Sequence, residues 1–170
     1  FLGNPLLDKI PAPKENPFKG DNTKEWKIGL LPGSRPREIE KHTKLFYQAF
    51  KEVRRSFPNA KAYLFAVPEV SDEKIYELIG PRHDGLEIVR ENDYASRSEM
   101  DFVITCSGTA TLENALLGLP MLVVYKTGWV TYQVAKMIIK VPYISLVNIL
   151  SKKGVVKEFI QKDANPKAIA

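Results

Sequence analysis

The chain has 170 residues, 44% apolar and 26% charged, the balance of one globular domain with its own core. Its net charge of +5 suits anionic partners such as nucleotides, phosphorylated lipids or an acidic membrane surface, whereas no zinc-finger pattern, RNP pattern or dense basic stripe points to nucleic acid. The single cysteine, Cys106, excludes an internal disulfide and a multi-cysteine metal site, and with no membrane-length apolar run or signal peptide visible the expected location is cytosolic.

The first 22 residues hold four of the twelve prolines and read as an extended lead-in, with Phe1, Leu2, Leu6, Leu7 and Ile10 available to dock on a sheet. Residues 1–25 are expected to be a linker, and 26–170 a domain truncated at both ends. Trp26 to Leu31 is the first strand. Pro32-Gly33-Ser34-Arg35 breaks it, and an amphipathic helix follows from about Arg37 to Phe57, with Ile39, Leu45, Phe46, Ala49, Phe50 and Val53 as its apolar stripe. Lys61 to Val67 is the second strand. Ser71 caps a helix over Asp72 to Ile79, and Leu86 to Val89 is the third strand. Glu91 to Met100 reads as a loop and short helix. Asp101 to Cys106 is the fourth strand, followed by a helix from about Thr109 to Leu117, N-capped by Ser107 or Thr109 and stopped by Gly118.

Met121 to Tyr125 is the fifth strand, and Trp129 to Lys140 a further helix. That helix reads either as a core helix with snorkelling lysines or as a membrane-surface helix. The tail from Tyr143 is less regular. Asn148, a lone polar residue in an apolar run, reads on periodicity as a turn or surface position. Val155 to Gln161 reads as a short amphipathic helix, and Asp163 or Asn165 as the cap of a last one. Strands alternating with helices predict an α/β fold, a Rossmann-like parallel sheet with helices on both faces.

Two strand–turn–helix units carry the chemistry. Gly33 lets a ligand approach the backbone, Ser34 and the following amides donate to phosphate, and Arg35 adds a planar cation. In the second unit, Ser107, Gly108, Thr109 and Ala110 lead into a helix whose free amides and positive dipole end suit an anion. Glu113, one turn further, suits the two hydroxyls of a ribose. Each unit alone is also an ordinary turn. If the first and fourth strands are neighbours, both loops face one crevice, which suggests a diphosphate. Neither a Walker A loop nor Gly-x-Gly-x-x-Gly is present. Cys106 reads as packed rather than nucleophilic, and neither His42 nor His83 has a recognisable partner.

In this order the motifs resemble the C-terminal half of the lipid-A-disaccharide synthases, bacterial GT-B glycosyltransferases. The matching pieces are Leu2-Gly3-Asn4-Pro5, Leu31-Pro32-Gly33-Ser34-Arg35 with Glu38-Ile39, and Ser107-Gly108-Thr109-Ala110-Thr111-Leu112-Glu113. Pro120-Met121, Tyr125-Lys126, the run Pro142 to Leu150 and Glu158-Phe159-Ile160-Gln161 follow. The resemblance implies transfer of 2,3-diacylglucosamine from its UDP conjugate to 2,3-diacylglucosamine 1-phosphate, with inversion and without a metal or other cofactor. UDP would lie on Gly33, Ser34, Arg35, Ser107, Gly108, Thr109, Ala110 and Glu113, with Asn148 nearby and Arg35 stabilising the departing UDP. The resemblance also implies peripheral attachment to the inner face of the cytoplasmic membrane of an outer-membrane-bearing bacterium, and a homodimer of the full-length enzyme.

Val147 stands where the family usually has proline. The general base, much of the acyl-chain surface and acceptor recognition are expected in an N-terminal half that this chain lacks, so this half alone is expected to bind UDP weakly and catalyse little. Two other readings remain open: another UDP-sugar-dependent GT-B enzyme or epimerase, and a non-catalytic nucleotide-binding module.

Overall fold

A computed structural model describes residues 10–11, 24–81, 83–90, 94–128 and 143–170. The lead-in, apart from Ile10 and Pro11, and the expected helix Trp129 to Lys140 lie outside the described residues. Ile10 is half-buried and packs against the cluster on one face of the sheet.

Among the described residues six strands form one parallel sheet: β1 (Lys27–Leu31), β2 (Lys61–Phe65), β3 (Leu86–Val89), β4 (Phe102–Cys106), β5 (Met121–Tyr125) and β6 (Lys157–Ile160). Their order is β3-β2-β1-β4-β5-β6. The central runs are continuously apolar because both sheet faces are covered. Leu30, Ile104 and Val124 sit in a core beneath α1 (Pro36–Ser56), with Phe46 and Phe50 of that helix fully buried. On the other face, Leu31, Val103, Leu117 and Met121 make a smaller cluster. The other helices among the described residues are α2 (Asp72–Ile79), α3 (Ala95–Ser98), α4 (Thr109–Leu116), α5 (Leu146–Ser151) and α6 (Pro166–Ile169).

The helix ends follow local chemistry. Pro36 opens α1, where its missing N–H costs nothing, and Arg54 and Arg55 sit in its last turn against the negative end of the dipole. Ser71 Oγ accepts from Lys74 N at 3.3 Å, and Asn165 Oδ1 accepts from Ala168 N at 3.0 Å. Both caps match the sequence reading.

Three expectations are corrected. Val155 to Gln161 is not helical: Lys157–Ile160 is the edge strand β6, in register from Leu122↔Lys157 to Tyr125↔Ile160. The open edge of β5 offers a ladder that a four-residue segment cannot outweigh with helical propensity. Asn148 is neither turn nor surface; it lies fully buried in α5, capped by Ser145. The N-cap of α4 is Gly108 rather than Ser107 or Thr109, and no side chain caps it.

Strand order fixes the place of the site. The chain leaves β1 for one edge of the sheet and β4 for the other, so the switch point lies between these neighbours. Their register runs from Ile28↔Phe102 to Leu31↔Thr105, which brings the loop after β1 beside the loop after β4 at the carboxyl ends.

Candidate functional site

A cleft of about 520 Å³ opens at this switch point. Gly33, Ser34 and Arg35 border it from the β1 loop, and Ser107, Gly108, Thr109, Ala110 and Glu113 from the start of α4. The structure therefore brings together every sequence-predicted site residue except Asn148, which does not line the cleft.

Gly33 is held at φ +113°, and a Cβ there would lie 2.5 Å from Glu38 Oε2 and 3.0 Å from Cys106 Sγ. Only glycine fits both the conformation and the space. Glu38 stabilises the loop from within α1: its Oε2 accepts from Arg35 N at 3.3 Å, and its Oε1 from Arg35 Nη1 at 3.2 Å. The Arg35 side chain is 82% exposed, so this pair is worth little and leaves the guanidinium free to reach an anion. Across the cleft, Gly108 has extended backbone, and a Cβ there would meet nothing within 4 Å. Thr111 N and Thr111 Oγ1 turn back to Gly108 O at 3.2 and 2.8 Å. With no side-chain cap, the first amides of α4 are left for a ligand or water.

Glu113 is not solvated freely. Arg97 Nη1 donates to its Oε2 at 2.7 Å, with the side chains only 12% and 16% exposed. Oε1 has no protein partner among the described residues. The Arg97 guanidinium also lies 5.6 Å from the centre of the Phe65 ring and 5.2 Å from that of Tyr94. The sequence gives no signal for Arg97, because its partners come from β2, the start of α3 and α4.

Cys106 is buried, and desolvation pushes its thiol up to about 12, so it packs rather than reacts. His42, expected to lack partners, has two. Its Nε2 accepts from Lys126 N at 3.1 Å, so Nδ1 carries the proton that reaches Pro32 O at 3.1 Å. Burial, the largest influence, pulls its pKa below the ordinary value, against the Pro32 contact and Glu38 and together with Lys41. This neutral imidazole ties the end of β1 to the end of β5.

The tail braces the rim. Glu158 Oε2 accepts from Ile144 N at 3.0 Å. Its Oε1 accepts from Ser145 N at 3.0 Å, Ser145 Oγ at 2.6 Å and Asn148 Nδ2 at 2.7 Å. Asn148 also exchanges two 2.9 Å bonds with the Val156 backbone. Its amide is thus consumed inside the α5–β6 connection. The Ile144 carbonyl in turn accepts from Ser107 Oγ at 2.9 Å. Gln161 Oε1 accepts from Thr127 N at 2.9 Å, holding the loop after β5.

A family model described as lipid-A-disaccharide synthetase matches residues 1–170. The lipid-A-disaccharide synthase of Syntrophotalea carbinolica is 36% identical, across 100% of this chain and 44% of that protein. Lipid-A-disaccharide synthase 1 of Legionella pneumophila strain Paris is 34% identical, across 97% of this chain and 44% of its own length. That of Acinetobacter baylyi is 33% identical, across 100% and 46%. The chain therefore spans less than half the length of these relatives. A crystal structure of a putative UDP-N-acetylglucosamine 2-epimerase from Listeria monocytogenes aligns with 86% of this chain and 40% of that one, at TM-score 0.47 and 16% identity. With the family model spanning its whole length and full-length coverage by relatives above 30% identity, the chain belongs to the lipid-A-disaccharide synthetase family.

Proposed function

We propose that this chain is the UDP-binding half of a glycosyltransferase of lipid A biosynthesis. The enzyme transfers 2,3-diacylglucosamine from UDP-2,3-diacylglucosamine to 2,3-diacylglucosamine 1-phosphate, giving the disaccharide 1-phosphate and UDP with inversion. Residues 26–170 form the nucleotide domain, and the general base comes from the part of the enzyme that the chain does not include. The enzyme works at the cytoplasmic face of the inner membrane, where both lipid substrates lie. Among the described residues no helix is long and apolar enough to cross a membrane.

One observation carries this reading: an uncapped helix start, a glycine loop with an exposed arginine, and a carboxylate one turn into the helix share a single cleft. The diphosphate lies on the first amides of α4 and on residues 33–35. Glu113 Oε1 takes the ribose hydroxyls while Arg97 holds Oε2. As the glycosidic bond breaks, charge grows on the β-phosphate. Arg35 and the positive end of α4 stabilise that charge, which lowers the barrier only to the extent that they hold departing UDP more tightly than the intact donor.

The test is calorimetric titration of UDP into wild type, Arg35→Ala and Glu113→Gln without added metal. Saturable binding weakened by about tenfold in each variant supports the site. Wild-type affinity in both variants would refute it.

A further inference from the structure

A second cavity, of about 790 Å³, adjoins the cleft, and Arg35, Glu38, Cys106 and Ser107 border both. Glu113 and Arg97 line the cleft and not the second cavity. Ser107 precedes the first turn of α4, and Glu113 lies one turn into it. A nucleotide with its ribose at Glu113 therefore runs its phosphates toward Arg35 and Ser107, and the second cavity lies beyond that border. There the wall becomes cationic. Arg37 and Lys41 from the start of α1, and Lys126 from the end of β5, line the second cavity and not the cleft.

Folding alone disfavours this placement. Arg37 and Lys41 are four residues apart on one helix, where like charges repel. Arg37 stands in the first turn, at the positive end of the α1 dipole, where acids are preferred. Glu38 is the one acid among the described lining residues, and Arg35 already engages it at 3.2 Å. Arg37, Lys41 and Lys126 form no ion pair among the described residues. The frame beneath Lys126 is nonetheless anchored at two successive residues. Its own N–H donates to His42 Nε2 at 3.1 Å, and Thr127 N donates to Gln161 Oε1 at 2.9 Å. An anion in the cavity relieves the repulsion and gives the three cations a partner.

We propose that the second cavity takes a third phosphate, so that a uridine triphosphate in the cleft reaches Arg37, Lys41 and Lys126 with its terminal phosphate and binds more tightly than the diphosphate. The proposal rests on the nucleotide reading above, which sets the direction of the phosphates. A terminal phosphate has three outward oxygens, which cations from two separate elements meet from different sides. The sugar that follows the β-phosphate in a donor is uncharged and draws nothing comparable from them. The triphosphate carries no sugar to transfer and needs the same cleft, so it inhibits the enzyme by competing with the donor.

The test titrates the full-length enzyme with UDP and with UTP, in a chelator so that no metal shields the phosphates. UTP should bind about tenfold or more tightly than UDP. That preference should shrink as salt rises from about 50 to about 200 mM. In Arg37→Gln/Lys41→Gln/Lys126→Gln the two nucleotides should bind within about twofold of each other. A control variant, Lys153→Gln/Lys162→Gln/Lys167→Gln, removes the same charge outside both cavities and should keep the preference. All six side chains are exposed, so both variants retain the fold, as melting will verify. Equal affinity for UDP and UTP in the wild type would overturn the proposal and leave the nucleotide reading standing. So would a preference that survives in the cavity variant or vanishes in the control. Failure of both nucleotides to bind would sink the proposal and the nucleotide reading together.

Discussion

Replacing Arg97 by methionine tests how Glu113 is held. The pair is nearly buried, at 12% and 16% exposure with 2.7 Å between Nη1 and Oε2. At about 4 Å between charge centres and an effective dielectric near 20, the attraction is about 4 kcal/mol. Removing one partner leaves a poorly hydrated carboxylate, which costs about 3 kcal/mol. Loss of the contacts with the Phe65 and Tyr94 rings adds about 0.5 kcal/mol each. For a chain of this size, a total of about 4 kcal/mol lowers Tm by about 8–16 °C. Thermal melts of wild type, Arg97→Met, Glu113→Gln and the double variant close a cycle. The double variant should recover about 2 kcal/mol relative to the sum of the singles, because neither charge is then left alone. UDP and 2′-deoxy-UDP titrations supply a second readout. Glu113→Gln and Arg97→Met should both weaken UDP by about tenfold and 2′-deoxy-UDP much less. Stabilities additive within about 0.5 kcal/mol, with equal losses for both nucleotides, would refute the reasoning.

The two loop glycines should separate folding from binding. Gly33→Ala forces a side chain into a positive φ and against Glu38 and Cys106, and should cost about 1–3 kcal/mol in chemical denaturation; a wild-type midpoint would show that the loop adapts freely. Gly108→Ala should melt like wild type, since its Cβ meets nothing within 4 Å, and yet weaken UDP by about tenfold. His42 is held neutral with its pKa below 6.5, so the unfolded chain takes up a proton first as pH falls. Its contribution to stability is full above about pH 6.5 and declines as pH falls from there through the folded value. The stability gap between wild type and His42→Gln should shrink over that range, and a pH-independent gap would contradict the assignment. Cys106, with its thiol pushed up to about 12, should resist iodoacetamide at about pH 8 in the native state and react once unfolded, as mass spectrometry will show.

The strands on either side of the switch point are legible because they are buried on both faces and so are written as unbroken apolar runs, Gly29-Leu30-Leu31 and Phe102 to Ile104. Helix α1 is legible because one stripe of large apolar residues recurs at helical spacing over 21 residues. β6 has neither signal. Its four residues, Lys-Glu-Phe-Ile, favour no period, and pairing with β5 decides their conformation. The two cleft loops could be read as turns open to an anion because glycine and small residues at a strand end leave the backbone accessible, although each alone is also an ordinary turn. Their meeting could not, since it depends on β1 pairing with β4 across some 74 residues. Arg97 and His42 escape the sequence for the same reason: the Lys126 amide that defines the state of His42 is 84 residues away.

The tail shows how residues that do not line the cleft can still fix its shape. Glu158 stands on the edge strand and Gln161 in the turn just after it, and neither lines the cleft. Glu158 nevertheless fixes Ile144 N at 3.0 Å, and the Ile144 carbonyl fixes Ser107 Oγ at 2.9 Å, so two hydrogen bonds separate β6 from the start of α4. Gln161 holds Thr127, in the wall of the second cavity, in the same way. Asn148 completes the brace by spending both ends of its amide on Val156 and Glu158. A loop that presents backbone amides to an anion has few side-chain contacts of its own, because small residues are what allow the anion in. Its geometry must then be supplied from behind. Here that support comes from the last strand and the segments beside it, through Asn148, Glu158 and Gln161.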